Sequence, residues 1–240
     1  MQDALYVSLS AQVAMERRLA TIADNVANAG TIGFRATEIR FEDLVTGSGD
    51  KAVSFASAGE TYLSTRDGAL RETGNPFDFA VQGDAWFGID TPAGTVMTRD
   101  GRFTMRDDGL LVTIEGYPVL DAGGAPIQLN PQGGPPEASA DGVLRQGETA
   151  VGAIGLYQFT PGASFVRFGN SGIVPDRPPE AVVDRNDVGL AQGFLEESNV
   201  NPILEMSRLI MVQRGFENVA ASIRATEQTL GDAISALGPK

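Results

Sequence analysis

Apolar side chains recur along this chain with two different periods. Near the N-terminus Met15, Leu19, Ile22 and Val26 are spaced 4, 3 and 4 residues apart, which places them on one face of a helix. Near the C-terminus Leu209, Val212, Phe216, Val219, Ile223, Thr226, Leu230, Ala233 and Leu237 keep a strict 3-4 spacing, and only Thr226 is polar. The first pattern predicts a helix over 4–29, with Asp3 as N-cap and Gly30 after its end. The second predicts a helix over 202–237: Asn201 caps it, Pro202 suits the first turn, Glu205 meets the positive end of the dipole, and Gly238-Pro239 stops it. At 1.5 Å per residue these helices span about 39 and 54 Å. A seam of four heptads implies packing against other helices along its length, and a helix this long outruns a globule built from one chain of this size. Gly215 and Gly231 each weaken an isolated helix by about 1 kcal/mol, so the expected support is tertiary or quaternary: the helices pair with each other, coiled-coil fashion, and with copies from neighbouring subunits.

Between the helices the period drops and turn residues crowd in. Residues 31–199 hold 25 of the 29 glycines and 11 of the 13 prolines, while residues 1–29 hold none. Short strands are predicted at Phe77–Val81, Trp86–Ile89, Thr95–Thr98, Arg102–Met105, Leu110–Ile114 and Ile154–Phe159. Turn pairs fall at Asp67-Gly68, Asp100-Gly101, Asp108-Gly109, Glu115-Gly116, Gly123-Gly124 and Asp141-Gly142, with exposed loops at 130–137 and 175–179. Thr-Arg-Asp-Gly occurs at 65–68 and again at 98–101, which reads as repeated hairpin chemistry. The expected fold is α+β: terminal helices in 1–30 and 200–240, extended connections in 31–74 and 183–199, and an all-β sandwich or partly closed barrel in 75–182.

Composition removes most chemistry. The chain of 240 residues has no histidine and no cysteine, hence no imidazole base, thiolate nucleophile, zinc site of the usual ligands or disulfide. A formal charge of -13, with Lys51 and Lys240 the only lysines, argues against nucleic acid. No apolar run reaches the ~20 residues of a bilayer span, and the N-terminal stretch has no signal-peptide core, so neither membrane insertion nor a cleavable leader is expected. Gly47–Ala52 imitates a dinucleotide loop without its strand-loop-helix frame, and Asp184–Leu195 imitates a calcium loop without its closing Glu. Asp107/Asp108 and Glu196/Glu197 read as solvated surface acids, and Trp86 as a core anchor. No catalytic, cofactor-binding or metal residue is assigned.

Two segments carry more than generic patterning. Residues 20–34 include Asn25, Asn28, Thr31, Gly33 and Phe34; residues 192–217 include Ser198, Asn199, Val200, Glu205, Met206, Gln213, Arg214, Phe216 and Glu217. They resemble the N- and C-terminal signatures of the bacterial flagellar rod and hook proteins. The stretches 75–87, 98–103 and 109–113 are similar to the β domain of that family. The length and the opening Met1–Ser8 place the chain with its shorter rod members.

The resemblance implies a non-enzymatic subunit of the axial rod that transmits torque across the periplasm. It implies export through the flagellar type III apparatus, and partners that are other rod proteins and copies of itself. Asn25, Asn28, Ser198 and Asn199 fall where helix gives way to extended chain, so their side chains are expected to satisfy backbone groups there or to contact a neighbouring subunit. Phe41–Val45 has the aromatic-then-apolar spacing of an export signal, or of an ordinary strand. Two other classes compete: a β-sandwich binding module on a private coiled-coil stalk, and an acidic hydrolase with a carboxylate pair assembled only in the fold.

Overall fold

The computed structural model describes residues 2–40, 43–46, 53–56, 59–160, 165–183 and 187–237. One long helix lies at each end and a β-rich region lies between. The chain forms two compact units, one of residues 1–27, 37–61 and 201–240, the other of residues 28–36 and 62–200.

In the first unit, α1 (Gln2–Ala27) and α2 (Pro202–Leu237) pack on each other, and α1 also meets the short strands Thr37–Arg40 and Val53–Ala56. The C-terminal helix has the predicted ends. Asn201 Oδ1 accepts from Leu204 N at 3.1 Å and its carbonyl accepts from Glu205 N at 3.0 Å, the side chain closing the first turn. The N-terminal helix differs by two residues at each end: it already includes Asp3, which is therefore not its cap, and it stops before Gly30. Burial follows the apolar period. Ile22 is buried and Met15, Leu19 and Val26 are half-buried on α1; Leu209, Val212, Phe216, Val219 and Ile223 are half-buried on α2. The side chains of Thr226, Leu230, Ala233 and Leu237 lie outside the described residues, as do Gly238-Pro239 and Phe41 of the export-signal stretch. Gly215 stands against Met15; a Cβ there would meet the Met15 methyl at 3.4 Å, ordinary contact.

The second unit is built on an antiparallel six-stranded sheet ordered Val166–Phe168, Gly172–Val174, Gly94–Thr98, Trp86–Thr91, Leu156–Gln158, Glu180–Ala181. Smaller sheets surround it, among them Phe79–Gln82 with Gly189–Gln192 and Leu70–Glu72 with Phe194–Glu196. Because neighbouring side chains on a strand face opposite ways, Trp86 and Phe87 serve different cores. Phe87 joins Phe79, Phe103, Leu111, Val119 and Leu144; Trp86 joins Leu63, Met97, Tyr157 and Ile173. Phe87 and Phe103 meet edge to face at 5.1 Å.

Turns form where expected at Gly109, Gly116, Gly124 and Gly142, each amide bonding to the carbonyl three residues back at 2.8 to 3.0 Å. The two Thr-Arg-Asp-Gly copies are not hairpins. A Cβ on Gly68 would lie 1.8 Å from the Glu197 carbonyl oxygen, and one on Gly101 would lie 1.8 Å from that of Phe79. Each glycine is there because another backbone passes too close for a side chain, not to supply a turn. Val53–Ala56 is a strand paired with Asp43–Thr46, which removes the helix a dinucleotide loop would need after it. The candidate loop itself, 47–52, and residues 184–186 of the calcium-like stretch lie outside the described residues.

Two stability changes follow. Phe87→Ala should cost about 3–5 kcal/mol, seen as a lower urea midpoint by Trp86 fluorescence. Gly231→Ala, where a Cβ meets nothing within 4 Å, should stabilise the helical unit by about 0.5–1 kcal/mol, seen as a higher melting temperature by helical circular dichroism.

Candidate assembly site

The two signature segments, remote in sequence, meet in the β unit. Gly33 N donates to the Glu196 carbonyl at 2.8 Å, and Asn199 N to the Phe34 carbonyl at 3.2 Å. The Asn199 side chain completes the join: its Oδ1 accepts from Ala36 N at 2.7 Å and its Nδ2 donates to the Arg66 carbonyl at 2.7 Å. A single amide thus replaces two missing backbone partners. Phe34, Ala36 and Val200 form a small apolar core over this join, and the Arg167 guanidinium covers the Phe34 ring at 4.3 Å. Gly33 takes φ 68° and runs against the backbone of Arg99 and Asp100, where no other residue fits. Thr31 N and Oγ1 both turn back onto Asn28, at 3.1 and 3.2 Å, and Ser198 Oγ accepts from Val200 N at 3.3 Å.

Below the join sits a buried ion cluster. Glu196, read above as a solvated acid, is 1% exposed. Its carboxylate takes Arg35 at 2.6 Å and Arg99 at 2.9 Å, both 2% exposed, and the Gly68 amide at 3.0 Å. Asp67, at the surface, adds a second contact to Arg35 at 2.8 Å. Burial lowers the Arg99 pKa from its ordinary value, and the charge of Glu196 opposes that shift. Both guanidinium groups lie near the Trp86 ring, at 5.2 Å for Arg99 and 5.8 Å for Arg35. The repeated tetrapeptide therefore contributes Asp67 from one copy and Arg99 from the other to the same cluster. Its neighbour Glu197 does stay in water, paired with Arg71 at 3.1 Å. Asp108 is exposed as expected, and the Arg106 guanidinium beside it pulls its carboxyl down to about 2.

The helical unit holds the other signature residues. Asn25, 3% exposed, exchanges two bonds with the backbone of Thr37: Nδ2 donates to the carbonyl at 2.9 Å and Oδ1 accepts from the amide at 3.0 Å. The side chain acts as one rung of a strand ladder. Glu205 is buried and pairs with Arg208 at 2.5 Å; Gln213 reaches Glu217 at 3.4 Å one turn on; Phe216 is on the half-buried seam, while Met206 and Arg214 are exposed.

Sequence reasoning missed a second apolar surface on the same helices. Tyr6, Leu9 and Val13 on α1 are 59%, 51% and 42% exposed, and Ile203, Met206 and Ile210 on α2 are 78%, 55% and 51% exposed. Leu204 and Met211 widen the second stripe. The signal was present as 3-4 spacing within each set, but periodicity alone does not separate a covered stripe from an uncovered one.

Removing the carboxylate from the cluster strands two buried cations. Glu196→Ala should cost about 3–5 kcal/mol in urea unfolding followed by Trp86 fluorescence. Asp67→Ala, 61% exposed, should cost less than about 1 kcal/mol in the same assay.

Three family profiles match the chain: "Flagella basal body rod protein" over residues 5–35, "Flagellar hook protein FlgE/F/G D1 domain" over 80–148 and "Flagellar basal body rod FlgEFG protein C-terminal" over 191–236. The chain is similar to the flagellar basal-body rod protein FlgF of Mesorhizobium japonicum, 70% identical over all of both chains. FlgF of Rhizobium meliloti is 55% identical over 99% of each chain, and FlgF of Caulobacter vibrioides 35% over 99% of each. With both terminal signatures folded into one join and full-length identity at this level, the chain belongs to the FlgF family of flagellar basal-body rod proteins.

Proposed function

We propose that this chain is a non-enzymatic subunit of the proximal rod of the flagellar basal body and that it polymerises through its terminal helices. The observation that carries the mechanism is the pair of uncovered apolar stripes, Tyr6-Leu9-Val13 and Ile203-Met206-Ile210, on helices that already bury a different seam. Large aliphatic and aromatic side chains left in water on a regular helical face are stabilised by a partner surface, at about 25 cal/mol per Å² of apolar area covered. In a rod the covering surfaces are the same helices of copies and of sister rod proteins, stacked about a common axis in a coiled-coil-like inner layer.

The signature residues divide the work in this reading. Asn28, Thr31, Gly33, Phe34, Ser198, Asn199 and Val200 hold the chain that follows α1 and the chain that precedes α2 in one register within the β unit. Asn25, Glu205, Gln213, Phe216 and Glu217 hold the helical unit together, and Met206 and Arg214 face the neighbour. In this reading the subunit crosses the periplasm as part of the rod after export through the flagellar type III apparatus.

The stripes separate assembly from folding. Ile203→Glu with Ile210→Glu changes exposed positions, so unfolding of the purified chain should shift by no more than about 0.5 kcal/mol per site. In a strain carrying the same pair of changes, swimming and rod completion should be lost. A strain that swims normally with both charges in place would overturn assembly through this face.

A further inference from the structure

Among the cavities of the β unit outside its cores and the signature join, one of about 290 Å³ is walled by Asp100, Glu115, Tyr117, Phe168 and Asn170, among others. That is just under the ~300–1,000 Å³ of pockets that enclose a drug-sized ligand, and it suits a single long side chain.

The polar groups on its wall fall into two sets. Asp100 is already held by Arg102, Oδ1 to Nε at 2.9 Å and Oδ2 to Nη2 at 2.6 Å, and the Thr98 and Ser171 hydroxyls pair with each other at 3.2 Å. Glu115, the Asn170 amide and the Tyr117 hydroxyl make no hydrogen bond among the described residues. Asp100 and Arg102 cancel, so Glu115 is the uncompensated charge of the wall. The Arg102 pKa is raised, first by its hydrogen bond to Asp100 and, after opposing burial, by the charges of Asp100, Glu115 and Asp78. Tyr117 and Phe168 stand edge to face at 5.5 Å, an aromatic corner against which a flat cation stacks. Next in sequence to the lining residues Thr113 and Glu115, Ile114 is 61% exposed, and so is Val166, which shares a sheet face with Phe168 two residues along its strand.

We propose that this cavity receives one arginine side chain from a neighbouring rod subunit, its guanidinium on Glu115 and its stem along Tyr117 and Phe168. Arginine is among the residues that most often anchor an interface, seated in a well-packed pocket from which surrounding contacts exclude water. Arginine is favoured over lysine by the aromatic corner and, where the neighbour is another copy, by supply: Lys51 and Lys240 are the only lysines, whereas Arg177 and Arg214 stand exposed. A net charge of -13 leaves the rest of the surface short of cations, so a contact of this kind orients one subunit on the next as well as binding it.

The source of the arginine rests on the rod reading; the cavity's preference does not, and the monomer tests it. Full-length chain labelled for amide NMR is titrated with N-acetyl-arginine methylamide, with its uncharged citrulline counterpart, and with a neutral chitin trisaccharide. The expected result is saturable shifts at Glu115, Tyr117, Phe168 and Asn170 with the arginine probe alone, weakened about tenfold in Glu115→Gln. Equal shifts with citrulline, no loss in Glu115→Gln, saturation by the sugar instead, or no saturation up to the solubility of the arginine probe would each overturn the proposal. If the probe fails while the stripe variants still abolish swimming, the cavity assignment falls and the rod reading stands. If the probe binds while the stripe variants swim, the reverse holds.

Discussion

A carboxylate withdrawn from water and gripped by two withdrawn guanidinium groups organises this molecule. Glu196, Arg35 and Arg99 come from three stretches far apart in sequence: the chain just before α2, the chain just after α1, and the heart of the β unit. Desolvating three charges is unfavourable, and only near-ideal geometry offsets it, so the cluster tolerates no slippage of one stretch against another. Its worth lies less in net stability than in register. Once Glu196 is seated, Gly33 and Asn199 fall opposite their backbone partners, and the small core of Phe34, Ala36 and Val200 closes over them.

Much of the fold was legible because periodicity is a property of the chain alone. The C-terminal helix announced both ends, since Asn201 and Pro202 can play only a few roles at a helix start. The strands appeared within one or two residues of where alternation and turn residues put them, as with Trp86–Thr91 and Gly94–Thr98. What could not be read was proximity. Glu196 looks like any acid beside another acid until Arg35 and Arg99 are known to converge on it. The tetrapeptide at 65–68 and 98–101 looks like turn chemistry because Asp-Gly is most often that; here the glycines answer to a carbonyl of a distant stretch, a contact that leaves no local trace. The stripes at Tyr6-Leu9-Val13 and Ile203-Met206-Ile210 had the right spacing, yet exposure is decided by what else folds nearby.

The joins in both units rely on asparagine where a charged group would have served less well. Asn25 and Asn199 each offer a donor and an acceptor at fixed spacing, so each can stand in for a peptide unit where the backbone leaves one unpaired. An amide does not titrate. With no histidine in the chain, no side chain has an ordinary pKa between about 5 and 8, so the joins keep the same bonding pattern across that range.

The pairing of Leu70–Glu72 with Phe194–Glu196 bears on ancestry more than on mechanics. With Glu72 opposite Phe194, residues 73–193 leave from and return to one doorway. A domain suspended in this way can be enlarged, trimmed or exchanged for another without asking the frame to move. Changes of length behind the door would leave the paired strands at its threshold where they are.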